Sequence, residues 1–289
     1  MKRKIILFLL KAVAALPLRA LYLLSDLAFF IIYHLIGYRR KVVSNNLTEA
    51  FPEKSPNEIK KIEKEYYHYM CDIIVETVKL LNISERQMGR RVEVVNPELI
   101  QQAVDGGRPA VIMLGHYGNW EWVQEISRHF KGDAFKASIY HPLKSQLWND
   151  IYARIRSRWA VNIIPQKSAV RTLLDKNNLP WICGFIADHR PLTVTDDNIT
   201  PFLNHATSFI YGPEVLGSRL GADFFLLEME RIKRGRYRIT FHTLEPETDG
   251  KPYPYTRSFW RRFEEVIKRK PAYWLWSHKR WKYDRLLEK

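Results

Sequence analysis

The residues best suited to chemistry are a histidine and a carboxylate five positions apart, His116 and Glu121, in the segment GHYGNWE at positions 115–121. A neutral imidazole near pH 7 can take the proton of a hydroxyl group while its oxygen attacks an acyl thioester. A carboxylate that accepts the other ring N–H fixes the tautomer and stabilises the imidazolium that forms. We therefore expect His116 to act as a general base and Glu121 to orient it.

Other interpretations of this motif are weaker. At this spacing alone, a histidine and a glutamate are more often a loop residue and a solvated helix residue, but Gly115 and Gly118 and the position at a strand end favour a site. The motif lacks the i, i+4 histidine pair of HExxH, and no third ligand is evident, so we expect no metal. Because the sequence has no G-x-S-x-G elbow, direct transfer without an acyl-enzyme is the favoured mechanism.

From residue 109 onward, short β-rich runs alternate with helical segments. Strands are predicted at 110–114, 135–140, 161–164 and 181–187, and helices at about 120–130, 144–158, 168–176 and 208–219. Such alternation is typical of a largely parallel sheet covered by helices. Two further runs, 224–232 and 236–244, predict an antiparallel hairpin at the edge of this sheet. The expected fold class is α/β, with a helical N-terminal segment.

Two of the predicted strands end abruptly in polar residues. Strand 110–114 leads to His116, and strand 181–187 leads to the run DHR at 188–190, which begins with Asp188. Open α/β sheets place their chemistry beyond the carboxyl ends of their strands. We therefore expect the active site at this edge of the sheet.

The N-terminus begins with MKRK and then is almost entirely apolar as far as Ile36. A signal peptide, a spanning helix and an in-plane anchor can all have this composition. Cleavage is not expected, because no small-residue cleavage site precedes a polar mature segment. Four polar residues leave apolar pieces shorter than the roughly 20 residues that a bilayer requires. They are Lys11, Arg19, Asp26 and His34.

Polar side chains of this segment share one side of an ideal helix, within an arc of roughly 120° at about 100° per residue. They are Lys4, Lys11, Arg19, Tyr22, Ser25, Asp26 and Tyr33. Pro17 can kink the helix and reset this phase. We expect membrane association, through a helix that lies in the interface or one that crosses once. The alternative is a helix packed on its own domain.

Composition favours anionic partners. The chain has 46 Lys and Arg against 31 Asp and Glu, a net charge of +15. Phospholipid headgroups, phosphorylated glycolipids, acidic carrier proteins and nucleic acid all suit that charge. Residues 257–289 combine basic and aromatic side chains, as a membrane interface does, and no nucleic-acid fold signature accompanies them. Cys71 and Cys183 lie far apart without metal-ligand spacing, which indicates a reducing, cytoplasmic environment.

Several blocks in order carry a family resemblance over residues 37 to 285. They are Tyr38-Arg39-Arg40 with Asn45-Asn46-Leu47, Phe51-Pro52-Glu53, the segment at 115–121, Tyr140-His141-Pro142, Asp188-His189, the run at 201–206 and the run at 276–282. With these blocks the sequence resembles the lipid A late acyltransferases, the lauroyl and myristoyl transferases of Gram-negative envelope synthesis, within the lysophospholipid acyltransferase-like superfamily.

The resemblance implies an enzyme at the cytoplasmic face of the inner membrane. Such an enzyme takes an acyl chain from acyl carrier protein and esterifies a hydroxyl of a lipid A precursor, with acyl carrier protein as the donor and no other cofactor. His116 and Glu121 would be catalytic. An arginine after the second strand would hold an oxyanion or a phosphate. Arg156 is the best match, with Arg154 and Arg158 as neighbours, and Asp188 matches the family's strand-end acid.

These considerations divide the chain into two parts. We expect an anchoring segment at 1–37 and an acyltransferase domain at 38–289, comprising a helical cap (38–100), an α/β core (109–245) and a basic aromatic C-terminal segment (246–289). Within the cap, Ser55 and Glu58 predict the start of a helix over about 56–81.

Two other functions stay open. One is an acyltransferase of the same fold that acts on an aminolipid, a glycerophospholipid or another glycolipid. The other is a non-catalytic lipid-binding or envelope-assembly protein.

Overall fold

A seven-stranded sheet forms the centre of the protein. The computed structural model describes residues 2–176 and 179–282. In chain order the strands of the sheet are β1 (Val92–Val94), β2 (Ala110–Leu114), β3 (Phe135–Tyr140), β4 (Asn162–Pro165), β5 (Trp181–Ile186), β8 (Asp223–Lys233) and β9 (Arg236–Thr243). Strands β6 (Ile199–Phe202) and β7 (His205–Ser208) form a separate hairpin.

The spatial order is β1-β9-β8-β2-β5-β3-β4, and every neighbouring pair is parallel except β8 with β9. The predicted α/β fold with a largely parallel sheet is therefore confirmed. The hairpin, however, does not lie at the edge. The three-residue strand β1 pairs with β9 and is itself the edge strand. A strand of three residues is too short to show a periodicity, so it could not be predicted from the sequence.

Helices flank the sheet. They are α1 (Lys2–Ala15), α2 (Leu18–Phe29), α3 (Arg40–Ala50), α4 (Pro56–Lys79), α5 (Glu85–Gly89), α6 (Glu98–Asp105), α7 (Gln146–Arg156), α8 (Ala169–Asp175), α9 (Gly212–Arg219) and α10 (Pro254–Arg269). Ser55 and Glu58 form the capping box predicted for α4. Trp122–His129, within the predicted helix 120–130, is a 3₁₀ helix. Its first turn is closed by a hydrogen bond of the 3₁₀ type, which the backbone N–H of Trp122 donates to the carbonyl oxygen of Asn119.

The central pair of strands, β2 and β5, brings two chain segments to one point. All five residues of β2 are buried, as expected for a strand with parallel neighbours and covered faces. The register sets Leu114 opposite Ile186, and the bond from Ala187 N to Leu114 O continues the pairing by one step. The residues that follow the two strands, including His116 and Asp188, therefore emerge side by side.

The N-terminal segment is broken at Pro17, which separates α1 from α2. Helix α2 continues as a π-helix, Phe30–Ile36, which ends at Gly37 with a positive φ of 63°. Together Leu18–Ile36 is long and apolar enough to cross a membrane. The break at Pro17 follows from the missing N–H of proline.

The polar stripe of α2 faces the protein itself. Tyr22 donates a hydrogen bond to Glu76 of α4 (2.7 Å), and Ser25 donates one to Asp72 (2.7 Å). Arg234, from the turn between β8 and β9, bonds both oxygens of Asp72. For Tyr22 and Ser25, the alternative of a helix packed on its own domain is therefore the observed arrangement.

The opposite side of the segment remains apolar and open. Its exposed residues are Leu23, Leu24, Leu27, Phe30, Ile31, Leu35 and Ile36. The basic residues Lys4, Lys11 and Arg19 are also exposed. Docking therefore uses Tyr22 and Ser25 for internal hydrogen bonds, leaves Arg19 exposed and presents an apolar surface outward.

Replacing Asp72 by Ala should lower the free energy of unfolding by about 3–5 kcal/mol, because it leaves Arg231 and Arg234 without their shared buried carboxylate. Urea denaturation in detergent, followed by tryptophan fluorescence, measures the loss. The control is Glu93→Ala, whose ion pair with Arg238 is exposed and should cost at most about 1 kcal/mol. Equal losses in the two variants would contradict the structural role of Asp72.

Candidate active site

His116 is held by Asp188. Its ring Nδ1 lies 2.8 Å from Asp188 Oδ1, and its backbone N–H donates to Asp188 Oδ2 at 2.8 Å. Trp274 Nε1 donates to the same Oδ2 at 2.9 Å. The expected pairing of His116 with Glu121 is therefore wrong: the carboxylate on the ring comes from the neighbouring strand, because β2 and β5 end together.

The Asp188 carboxylate is buried and ionised. Burial raises its pKa, but the charge of His116 and the hydrogen bonds from His116 outweigh this, and the pKa lies well below its usual range. An ionised carboxylate can only accept, so Nδ1 of His116 carries the ring proton. Nε2 is then the basic nitrogen, and in the part of the chain that the structure describes it has no hydrogen-bond partner.

Glu121 is held by Arg156 of α7. Arg156 Nε donates to Oε2 (2.9 Å), and Nη2 donates to Oε1 (2.5 Å), which is a bidentate pair. Trp120 Nε1 also donates to Oε1, at 3.2 Å. Burial lowers the pKa of Arg156, but the bonds with Glu121 outweigh it and leave the pKa raised. Glu121 therefore fixes the Arg156 guanidinium at the segment 115–121.

The other two arginines considered from the sequence lie elsewhere. Arg154 is exposed. Arg158 donates to the carbonyl oxygens of Leu80 and Ile83, just beyond the end of α4. Arg158 thus binds carbonyl groups at a helix C-terminus. Of the three arginines, only Arg156 contacts Glu121.

Two further histidines and two tryptophans surround His116. The His189 ring centroid lies 4.6 Å from that of His116, and His278 lies 6.1 Å from His189. Trp120 meets the His116 ring edge-to-face at 5.2 Å. Burial and the charge of His116 lower the pKa of His189 to about 4, so its imidazole is neutral at pH 7.

Most of the residues around His116 were not predicted from the sequence. Asp188 and His189 share a visible strand end, but Trp274 and His278 come from the C-terminal segment that we interpreted as a membrane interface. Its tryptophans are in fact buried: Trp260, Trp274, Trp276 and Trp281 are each at most 3% exposed. The aromatic pattern indicates core there, and residues 283–289 of the segment lie outside the described residues.

Close packing requires the two glycines of the catalytic turn. Gly118 has a positive φ of 59°, and a Cβ there would lie 2.2 Å from the carbonyl oxygen of Met229. A Cβ at Gly115 would lie 2.1 Å from the Phe263 ring. The turn that presents His116 is thus pressed against β8 and α10.

Comparison with known protein families places the chain in one of them. The profile of the bacterial lipid A biosynthesis acyltransferase family matches residues 3–283, nearly the whole chain. The chain belongs to this family. No curated protein matches the sequence. As a lipid A biosynthesis acyltransferase, the protein uses an acyl donor and a lipid acceptor and is membrane-associated.

An apolar pocket adjoins Glu121 and Arg156 of this acyltransferase. Its empty volume, including its opening to solvent, is about 730 Å³. It lies between the strands β2, β3 and β5 and the 3₁₀ helix, and its lining includes Leu114, Ile186 and Phe130. The described residues of α1 and α2 do not line this pocket.

Replacing Asp188 by Asn should lower kcat by roughly 10²–10⁴-fold, because Asn cannot favour the Nδ1–H tautomer as a carboxylate does. The low pKa of Asp188 keeps the carboxylate ionised between about pH 5 and 9, so the Nδ1–H tautomer should persist in the wild-type protein and the variant should have the lower kcat at every pH of that range. Steady-state kinetics across that range provides the measurement. Asp223→Asn, in an exposed pair with Arg108, is the control and should keep a normal kcat, and a loss in Asp188→Asn no larger than in this control would argue against Asp188 as the orienting carboxylate.

Glu121 and Arg156 should behave as one unit. Glu121→Gln and Arg156→Lys each break the bidentate pair, and we expect each to lower kcat/KM by roughly 10²–10³-fold. The double variant should lose little more than either single variant, because the two changes remove the same arrangement. Arg154→Lys, on the exposed side of α7, should retain normal kcat/KM. Strictly additive losses would separate the two residues.

Proposed function

We propose that this protein transfers a fatty acyl chain from acyl carrier protein to a hydroxyl of a lipid A precursor, with His116 as the general base. Family membership supports acyl transfer in lipid A biosynthesis in general. The observation that carries the mechanism is the His116 ring, with Nδ1 bound to a buried carboxylate and Nε2 open at the carboxyl edge of the sheet. That is the arrangement a general base requires.

The proposed step is a direct displacement. His116 Nε2 takes the proton of the acceptor hydroxyl as its oxygen attacks the thioester carbonyl carbon. The tetrahedral intermediate collapses with cleavage of the carbon–sulfur bond, and the imidazolium returns its proton to the departing thiolate. The products are the new ester and the free carrier thiol. Asp188 stabilises the transient imidazolium.

Arg156 is the proposed oxyanion stabiliser. Glu121 accepts two of its N–H groups and sets the plane of the guanidinium. A guanidinium has five N–H donors, so the others remain to bind the oxygen of the tetrahedral intermediate. A donor that is already oriented needs no reorganisation as charge develops.

The apolar pocket is the proposed place of the donor acyl chain. It begins at Glu121 and Arg156 and continues along β2 and β5 between buried aliphatic side chains. A chain in this pocket would place its thioester carbonyl beside the arginine. The transfer needs no metal or other cofactor, because base, oxyanion donor and thioester supply the chemistry.

The proposed location is the cytoplasmic face of the inner membrane, with residues 1–37 as the anchor and residues 38–289 as the acyltransferase domain. The open apolar side of Leu18–Ile36 and the excess of Lys and Arg both favour contact with an anionic bilayer surface. Because the polar side of α2 is bonded to Glu76 and Asp72, the arrangement favours a helix that lies in the interface over one that crosses.

Deleting the gene should remove one secondary acyl chain from lipid A, and wild type but not His116→Ala should restore it, because the variant has no base. Mass spectrometry of extracted lipid A gives the result, and the mass lost gives the acyl length. Arg154→Lys is the control for expression and should complement fully. Unchanged lipid A would move the activity to another membrane lipid, and full complementation by His116→Ala would refute the base.

A further inference from the structure

A buried carboxylate with no part in the proposed chemistry lies directly behind the catalytic turn. Glu76 of α4 is fully buried, and its two oxygens accept three hydrogen bonds. The donors are Tyr22 (2.7 Å), Asn119 (2.6 Å) and Tyr237 (2.7 Å). The backbone oxygen of Glu76 also accepts from the indole of Trp122, at 3.1 Å. Anchor helix, sheet and catalytic turn therefore meet at this residue.

Asn119 connects Glu76 to the catalytic pair. It lies in the turn between His116 and Glu121 and is fully buried. Its Nδ2 donates to Glu76, and its Oδ1 accepts from the backbone N–H of Trp122 at 3.1 Å. The Asn119 side chain thus connects Glu76 to the backbone of Trp122, next to Glu121. The hydrogen bond to Glu76 fixes the orientation of that side chain.

The site requires a carboxylate in particular. All three partners donate to the Glu76 oxygens, and an amide at this position would offer one acceptor oxygen in place of two, so one of the three donors would lose its acceptor. Burial raises the pKa of Glu76, which means that the buried charge costs free energy, although hydrogen bonds from Tyr22 and Tyr237 oppose the shift. A residue that served packing alone would not need a buried acid with three hydrogen-bond donors around it.

We infer that Glu76 is a positioning residue for acyl transfer, which acts through Asn119 to hold His116 and Glu121 in their catalytic geometry. The inference rests on the proposed function. A displacement of about 1 Å in reacting groups can cost roughly 10²-fold in rate. Loss of the Glu76 bond should therefore appear in kcat. Donor binding in the apolar pocket should change little, because Glu76 does not line that pocket.

The first test is a double-variant cycle on the full chain in detergent, with an acyl thioester donor and a purified lipid A precursor. Glu76→Gln should lower kcat by roughly 10–100-fold, with KM for the donor within about threefold of wild type. Asn119→Asp, which sets two carboxylates together, should lose at least as much. The double variant exchanges donor and acceptor across the same contact and should recover roughly tenfold over either single variant.

The matched control is Glu214→Gln. Glu214 is also a buried glutamate, but it accepts the backbone N–H groups of Tyr255 and Thr256 at the start of α10. This variant should lose stability to a similar degree and keep a normal kcat. A loss of kcat in Glu214→Gln equal to that in Glu76→Gln would show a general effect of destabilisation and would overturn the inference.

Hydrogen–deuterium exchange gives a second measurement that needs no substrate. Peptides covering residues 115–122 should exchange faster in Glu76→Gln and return towards wild-type exchange in the double variant, while Glu214→Gln leaves them unchanged. Normal kcat and unchanged exchange in Glu76→Gln would overturn the inference and leave the proposed function intact. Absence of transfer by the wild-type protein with every lipid acceptor would instead overturn the proposed function, and with it the catalytic part of this inference.

Discussion

The parallel pairing of β2 with β5 is the constraint on which the rest of the site depends. Its register sets Leu114 beside Ile186, so the chain leaves the sheet at the same level on both strands. One strand then delivers a histidine and the other an aspartate, and the distance between their side chains, 2.8 Å, follows from the ladder. A shift of one residue would turn alternate side chains to the other face and separate the pair.

The two carboxylates of this site have different partners, because they come from different segments of the chain. Asp188 comes from the neighbouring strand and holds the ring of the proposed base, His116, while Glu121 comes from the same turn as His116 and orients Arg156. Each carboxylate therefore has one partner of clear chemical use. Arg156 is therefore paired with Glu121, and the His116 ring is hydrogen-bonded to Asp188.

The anchor is part of the folded domain. Tyr22 and Ser25 turn inward to carboxylates of α4, and Leu23, Leu24 and Leu27 of the same helix are exposed. An amphipathic helix is usually expected to place its polar side in water, but here that side is satisfied by buried acids and by Arg234. The apolar surface is then free for lipid, and the reaction centre is tied through α4 to the segment that meets it.

The sequence by itself determined the α/β class, most strand positions and the importance of His116, because burial periodicity and abrupt strand ends are local features. It also identified Glu121, Arg156 and Asp188 as individual residues. Which of them contact each other was decided only by the tertiary structure. Strand order, the inward turn of the α2 stripe and the burial of Trp274 against Asp188 all depend on contacts between residues distant in the chain. A local pattern cannot encode such contacts. His116 and Glu121 are close in the sequence, yet the His116 ring is hydrogen-bonded to Asp188, which lies 72 residues further along the chain.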